Sequence, residues 1–152
     1  MNCVAIALGS NLGDRRAHLD FAVASLRTLL DNLKVSRYYQ TIPVGVSGPQ
    51  PLYLNAGAVG DTALTPLDLL NALMAIERKD GRERPHRNAP RTLDLDLVLF
   101  GSAVIEEPDL IVPHPRFRER RFVLEPLAEI APALRDPVTG KTFAELLNLV
   151  IG

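Results

Sequence analysis

The sequence predicts an α+β fold, and three observations carry the prediction. Short apolar runs are closed by turn-forming residues. Two longer stretches keep apolar residues at helical spacing. The two kinds of segment follow in the order strand, helix, strand, strand, helix, strand. Residues 3–8 (CVAIAL), closed by Gly9, read as a buried strand. GSNLGD follows as a loop, and Asn11 or Asp14 can cap the helix after it. That helix spans about 15–33, with Ala22, Val23, Leu26, Leu29, Leu30 and Leu33 in register. Residues 35–41 form a second strand. IPVGVSGPQP is too rich in Gly and Pro for a helix or a central strand and forms a loop. Residues 52–59 (LYLNAGAV) are the third strand. Thr65-Pro66-Leu67-Asp68 has the form of a capping box with proline at the first helical position, opening a helix to about Lys79. GRERPHRNAP is a second polar loop. Residues 93–100 are the fourth strand, with a short partner at 103–105. The rest is proline-rich, with short helices near 115–118, 126–130 and 143–149.

This order is the split βαβ, or ferredoxin-like, βαββαβ pattern. It predicts an antiparallel sheet with both helices on one face and extra short elements at the C-terminal end. The other face is then free for ligands and for the two long loops.

A chain of 152 residues predicts a single domain over 1–152, large enough to bury a core without staples. A net charge of −1 and 47% hydrophobic residues place it among soluble globular proteins and argue against a nucleic-acid or membrane partner. Cys3 is the only cysteine, so no internal disulfide can form and a reducing compartment is expected. No signal peptide and no apolar run of bilayer length is evident, so a cytoplasmic monomer is the expectation. Charge is unevenly spread, however. Nine of the 14 arginines lie between Arg78 and Arg121, and arginine is suited to bidentate recognition of phosphate or carboxylate.

The stretch RTLDLDLVLF raises the sharpest question. Aspartate is a poor strand former, yet Asp94 and Asp96 stand two apart in a strand and so share a face. Leu93, Leu95, Leu97 and Leu99 point the other way, under the helices. Two carboxylates so close repel unless something positive holds them. Arg82, Arg84, Arg87 and Arg91 precede the strand, so an ion-pair network is one answer. Divalent cations are the other. Arginines beside paired carboxylates suit phosphoryl transfer, where Mg²⁺ is held by one or two carboxylates plus substrate phosphates. No P-loop is present, and GSNLGD reads as a turn and helix cap more than as a phosphate cradle.

Four blocks then resemble a known family: ALGSNLGDR, PVG with YLNA, GRERPHRNAPRTLDLDLVLFG, and VPHPRFRERRFVLEPLAEIAP. Together they resemble the 6-hydroxymethyl-7,8-dihydropterin pyrophosphokinases of folate biosynthesis, over nearly the whole chain and in order. The resemblance implies Mg²⁺-dependent transfer of diphosphate from ATP to the pterin hydroxymethyl group, with AMP released. It implies that Asp94 and Asp96 bind two Mg²⁺ ions, with Arg82 and Arg91 as catalytic partners. It implies a pterin slot of Thr41, Val44, Tyr53, Asn55 and the stacking Phe122. It implies nucleotide contacts from Glu77, Arg84, Arg87, Arg91, His114 and Arg120. An Asn side chain carries both a donor and an acceptor for a pterin edge, and a flat ring favours aromatic stacking. One departure stands out. Many members read R-W-G-P-R before the aspartate strand, and this chain reads Arg87-Asn88-Ala89-Pro90-Arg91 and contains no tryptophan. Asn88 cannot stack on the pterin as that tryptophan would.

Two rival readings differ in class. A nucleotidyl transferase on the same fold would release pyrophosphate in place of AMP. A non-catalytic module binding RNA needs aromatic residues on its central strands, where this chain has aspartates; one binding a small effector needs no metal.

Overall fold

The computed structural model describes residues 1–11, 13–41, 52–81 and 93–150. Within them the chain runs β1 (Asn2–Ser10), α1 (Arg15–Leu29), β2 (Asp31–Val35), β3 (Tyr39–Thr41), β4 (Tyr53–Thr62), α2 (Pro66–Asp80), β5 (Asp94–Phe100), β6 (Ile105–Glu107), β7 (Leu110–Val112), a 3-10 turn at Phe117–Glu119, α3 (Arg121–Ile130) and α4 (Phe143–Leu149). No helix among the described residues is long and apolar enough to cross a membrane.

The main sheet is antiparallel throughout, in the order β2-β4-β1-β5, with β3 also pairing β4. Side chains alternate between its faces. On one face Val4, Ile6 and Leu8 of β1 pack with Leu19, Ala22 and Leu26 of α1 and Leu69 and Leu73 of α2. The opposite face differs from expectation. Ala5 and Ala7 pack there with Val123, Leu124 and Leu127 of α3 and Phe143 and Leu146 of α4. Only part of that face is open to ligands, because the C-terminal helices bury the rest. Gly57 permits the close approach: a Cβ there would lie 2.9 Å from Leu127 Cδ2 and 3.1 Å from the Leu127 backbone nitrogen.

Several boundaries move, each for a local reason. The first helix ends at Leu29, not at 33. Leu30 is extended (φ −119°, ψ 147°), and Asn32 turns the chain at φ 54°. Leu30 and Leu33 continue the apolar periodicity only because they reach the same core from outside the helix. The second strand is two strands. Between them Ser36 Oγ accepts the Gly57 N–H at 2.9 Å and donates to the Arg37 carbonyl at 2.7 Å. Residues 103–105 do not pair with the aspartate strand; Ile105 belongs to a separate β6–β7 hairpin. Proline 126 lies inside a longer α3, so Phe122 stands in a helical first turn.

The leucine alternation of β5 holds only to Leu97. Leu97 pairs with Ile6 and Leu99 with Ala5, leaving Val98 as an extra residue. This bulge turns Val98 and Leu99 both toward the α3–α4 side, whereas Leu93, Leu95 and Leu97 stay under α1 and α2. The predicted place of Leu99 beneath those helices is therefore corrected.

Caps behave as the sequence suggests. Asp14 accepts from the Ala17 N–H at 3.0 Å and Thr65 from the Asp68 N–H at 3.1 Å. The turn in GSNLGD contains Gly13 at φ +60°.

Candidate active site

Strand register assembles the site. Gly9 of β1 pairs with Asn55 of β4 on one side and with Asp94 of β5 on the other. Two residues back, Ala7 pairs with Gly57 and with Asp96. Cross-strand partners face the same way, so Asn55, Gly9, Asp94 and Asp96 all lie on the face opposite α1 and α2. Asp94 is half-buried and Asp96 exposed.

The predicted pterin residues that can be described are neighbours. Tyr53 pairs with Thr41 and Asn55 with Tyr39. Tyr53 and Asn55 share a face by their spacing. Asn55 is 6% exposed, and the Thr41 hydroxyl donates a short hydrogen bond to its Oδ1. With Oδ1 so engaged, its orientation is fixed. α3 packs along β4, and Phe122, half-buried in its first turn, packs against the α3–α4 cluster with the Arg120 guanidinium 5.7 Å from its ring centroid. Cation–π attraction of this kind holds the arginine over the ring.

At the outer edge of β5 two groups satisfy the strand. Glu77 of α2 accepts from the Leu95 N–H at 2.7 Å. The His114 N–H donates to the Val98 carbonyl at 3.0 Å. An open sheet edge is a liability that such partners close. They also fix where Asp94 and Asp96 stand, because Leu95 lies between them.

His114 is half-buried, and its Nδ1 accepts from the Arg116 N–H at 3.2 Å. The proton of the neutral ring is therefore on Nε2. Burial pushes the imidazole below its ordinary range. The Asp96 carboxylate acts in the opposite sense, and Arg120 and Arg116 reinforce the depression. These mutual effects place His114, Asp96 and Arg120 in one electrostatic neighbourhood.

The described residues thus bring together Thr41, Tyr53 and Asn55 on one side of Gly9, and Asp94, Asp96, His114 and Arg120 on the other, with Glu77 behind the aspartate strand. Val44, Arg82, Arg84, Arg87 and Arg91 lie outside the described residues. Sequence reasoning missed Gly9 as part of the site and Arg116 as the partner of His114. Gly9 looked like a strand end; in the register it lies near the end of β1, a strand inside the sheet, with Asn55 on one side and Asp94 on the other. Nothing in the local sequence signals either role.

Among the described residues no group of three or more His, Cys, Asp or Glu gathers to hold a metal. Asp94 and Asp96 offer hard oxygen donors on one face. That pair fits a cation such as Mg²⁺, which takes one or two carboxylates and completes its shell with water and phosphate oxygens.

Comparison with known proteins agrees in sequence and in fold. Residues 5–132 match the family described as 7,8-dihydro-6-hydroxymethylpterin-pyrophosphokinase. A 2-amino-4-hydroxy-6-hydroxymethyldihydropteridine pyrophosphokinase of Pseudomonas aeruginosa is 46% identical over 146 residues, covering 95% of this chain and 89% of the relative. A Bacillus subtilis protein of the same name is 47% identical over 143 residues, covering 92% and 85%. Among solved structures, Plasmodium falciparum HPPK-DHPS superposes with a TM-score of 0.78 over 97% of this chain. This chain spans only 44% of that one, and at 15% identity the likeness shows the fold alone.

Proposed function

The chain belongs to the 7,8-dihydro-6-hydroxymethylpterin-pyrophosphokinase family and is a pyrophosphokinase of folate biosynthesis, and we propose how its residues divide the work. The diphosphate comes from ATP, the acceptor is the hydroxymethyl oxygen of 6-hydroxymethyl-7,8-dihydropterin, and AMP leaves. One observation carries the reading: Asn55 and the Asp94–Asp96 pair occupy one sheet face, two strands apart, with only Gly9 and Ala7 of β1 between them.

The scaffold is read as ferredoxin-like in one domain, supported by the order β5-β1-β4-β2 with α1 and α2 on one face. Asn55, oriented by Thr41, presents both a donor and an acceptor to the pterin edge. Tyr53 and Phe122 hold the ring, and Val44 closes the slot. Asp94 and Asp96 would hold two Mg²⁺ ions, whose chemistry would be to neutralise phosphate charge and position the acceptor hydroxyl. His114 stays neutral and offers its Nε2–H to a phosphate oxygen, beside Arg120. Arg82 and Arg91 neutralise charge that develops during transfer, and Arg84 and Arg87 bind the triphosphate. Glu77 borders the nucleotide side, and its carboxylate engages the Leu95 N–H. In the transfer the hydroxymethyl oxygen forms a bond to the β-phosphorus as the bond from that phosphorus to the α–β bridging oxygen breaks. The hydroxyl proton leaves to solvent.

The test mixes the protein with ATP, Mg²⁺ and 6-hydroxymethyl-7,8-dihydropterin and follows nucleotides by chromatography. AMP is expected only when pterin and Mg²⁺ are both present. Pyrophosphate release would favour a nucleotidyl transferase, and ADP or no turnover would overturn the reading.

A further inference from the structure

We infer that Gly9 is a specificity-determining position of the transfer reaction: its missing side chain forms the passage over β1 by which a pterin held at Asn55 reaches the aspartate side. This rests on the division of roles proposed above.

The first question is why glycine stands here at all. Gly9 is the penultimate residue of β1 yet still paired on both sides, and a glycine within such a ladder weakens it and needs a reason. Backbone conformation does not supply one. Gly9 is not among the positive-φ glycines, which are Gly13, Gly101 and Gly140 among the described residues. Its pairing is regular on both sides, from Leu8 to Ser10 against β4 and from Ala7 to Gly9 against β5. Close packing of another element does not supply one either. Gly57, on the neighbouring row of the same face, is covered by Leu127, so a Cβ there meets three atoms of that one residue. A Cβ on Gly9 meets a single atom among the described residues, Asn55 Nδ2 at 3.2 Å. The atom it would crowd is thus the donor end of the side chain assigned to the pterin.

Asn55 cannot readily move aside, because it is 6% exposed and its Oδ1 accepts from Thr41. Asn55 and Asp94 are two strand spacings apart, roughly 10 Å at the backbone. A bicyclic ring recognised at Asn55 must lay its hydroxymethyl arm across β1 to bring the oxygen near the aspartates. Any side chain rising from position 9 stands in that line. Alanine would displace the Asn55 amide by a few tenths of an ångström, and valine would fill the passage.

The experiment prepares Gly9→Ala and Gly9→Val and measures three things for each. Thermal melting reports folding. Equilibrium titrations report affinity for 6-hydroxymethyl-7,8-dihydropterin and, separately, for Mg²⁺–ATP. Steady-state kinetics give kcat and the two KM values. Gly9→Ala is expected to weaken pterin binding about 10-fold, the scale of one misplaced methyl group in a pocket. Gly9→Val is expected to lose at least about 100-fold in kcat/KM for the pterin. Affinity for Mg²⁺–ATP should stay within about 2-fold of wild type in both. Equal weakening of pterin and nucleotide would overturn the inference and make Gly9 a structural residue. Unchanged pterin affinity and turnover in folded variants would also overturn it. If Gly9→Val fails to fold, Gly9→Ala decides by the same criteria. Wild-type protein that makes no AMP overturns the functional reading instead, which separates the two failures.

Discussion

Glu77 of α2 accepts a 2.7 Å hydrogen bond from the backbone N–H of Leu95, the residue between the two aspartates. A helix carboxylate therefore pins the outer edge of the strand that carries Asp94 and Asp96. A hydrogen bond to a charged acceptor is worth about 2 kcal/mol. Glu77→Ala should lower stability by about that amount, and Glu77→Gln by less, because the amide oxygen can still accept. The Ala variant should also weaken Mg²⁺–ATP binding, since the aspartates lose their lateral support. Chemical denaturation and nucleotide titration check both. A Glu77→Ala protein of wild-type stability would show that the bond does not hold the strand.

Asp96 is exposed on the open part of the face, so its fold-level role is small. Asp96→Asn should keep the melting temperature within a degree or two of wild type and reduce kcat by about 100-fold or more. Circular dichroism and the AMP assay measure the two effects independently. Near-normal turnover would exclude Asp96 from metal binding.

His114 lies on the depressed side of the histidine range, chiefly through burial. The sign follows from linkage. A histidine whose folded pKa is lowered binds its proton less readily in the native state than when unfolded. Its contribution favours the native state above the unfolded pKa, near 6.5, and stability falls as pH drops below that value. Nitrogen-15 NMR of the ligand-free protein should show the Nε2–H tautomer at neutral pH and a titration midpoint below 6.5. A dominant Nδ1–H tautomer would contradict the hydrogen bond from Arg116.

A second carboxylate controls acid stability away from the site. Asp136 is fully buried and is bonded by Arg118 Nε at 2.5 Å, Arg118 Nη2 at 2.9 Å and Thr139 Oγ1 at 2.7 Å. Burial alone would raise its pKa, but the hydrogen bonds from Arg118, Thr139 and Val138 outweigh it and hold the carboxyl at about 2. The folded pKa lies below the unfolded one, so the stabilisation is present above about pH 4 and is lost as pH falls toward 2. The shift corresponds to about 2 kcal/mol at neutral pH. Asp136→Asn should flatten the acid limb of the stability curve and cost about 3 kcal/mol by leaving Arg118 without its charge partner. An unaltered acid limb would mean that other groups set it.

How much of this was legible in the chain can be judged residue by residue. The alternation in LDLDLV and the period of the two helices announced an α+β sheet with paired carboxylates, because side-chain direction follows backbone period directly. Motif resemblance pointed to the pterin and nucleotide residues, and the family match bears out the activity those motifs imply. The caps at Asp14 and Thr65 were also readable, since capping depends on residues three apart.

What only the tertiary structure decided depends on residues far apart. The apolar spacing through Leu33 resembled a continuing helix because Leu30, extended just after α1, and Leu33 of β2 meet the same core. The bulge at Val98 arises from pairing with Ala5 and Ile6, and it moves Leu99 to the opposite face. The cover over part of the face opposite α1 and α2 comes from α3 and α4, whose short proline-rich segments gave no hint of where they dock. The place of Gly9 between Asn55 and Asp94 is a matter of register across three strands separated by long stretches of chain. Local sequence determines period and capping, because those interactions span a few residues. Register, docking and the empty space above a glycine are set by the packing of distant segments, and the folded chain alone specifies them.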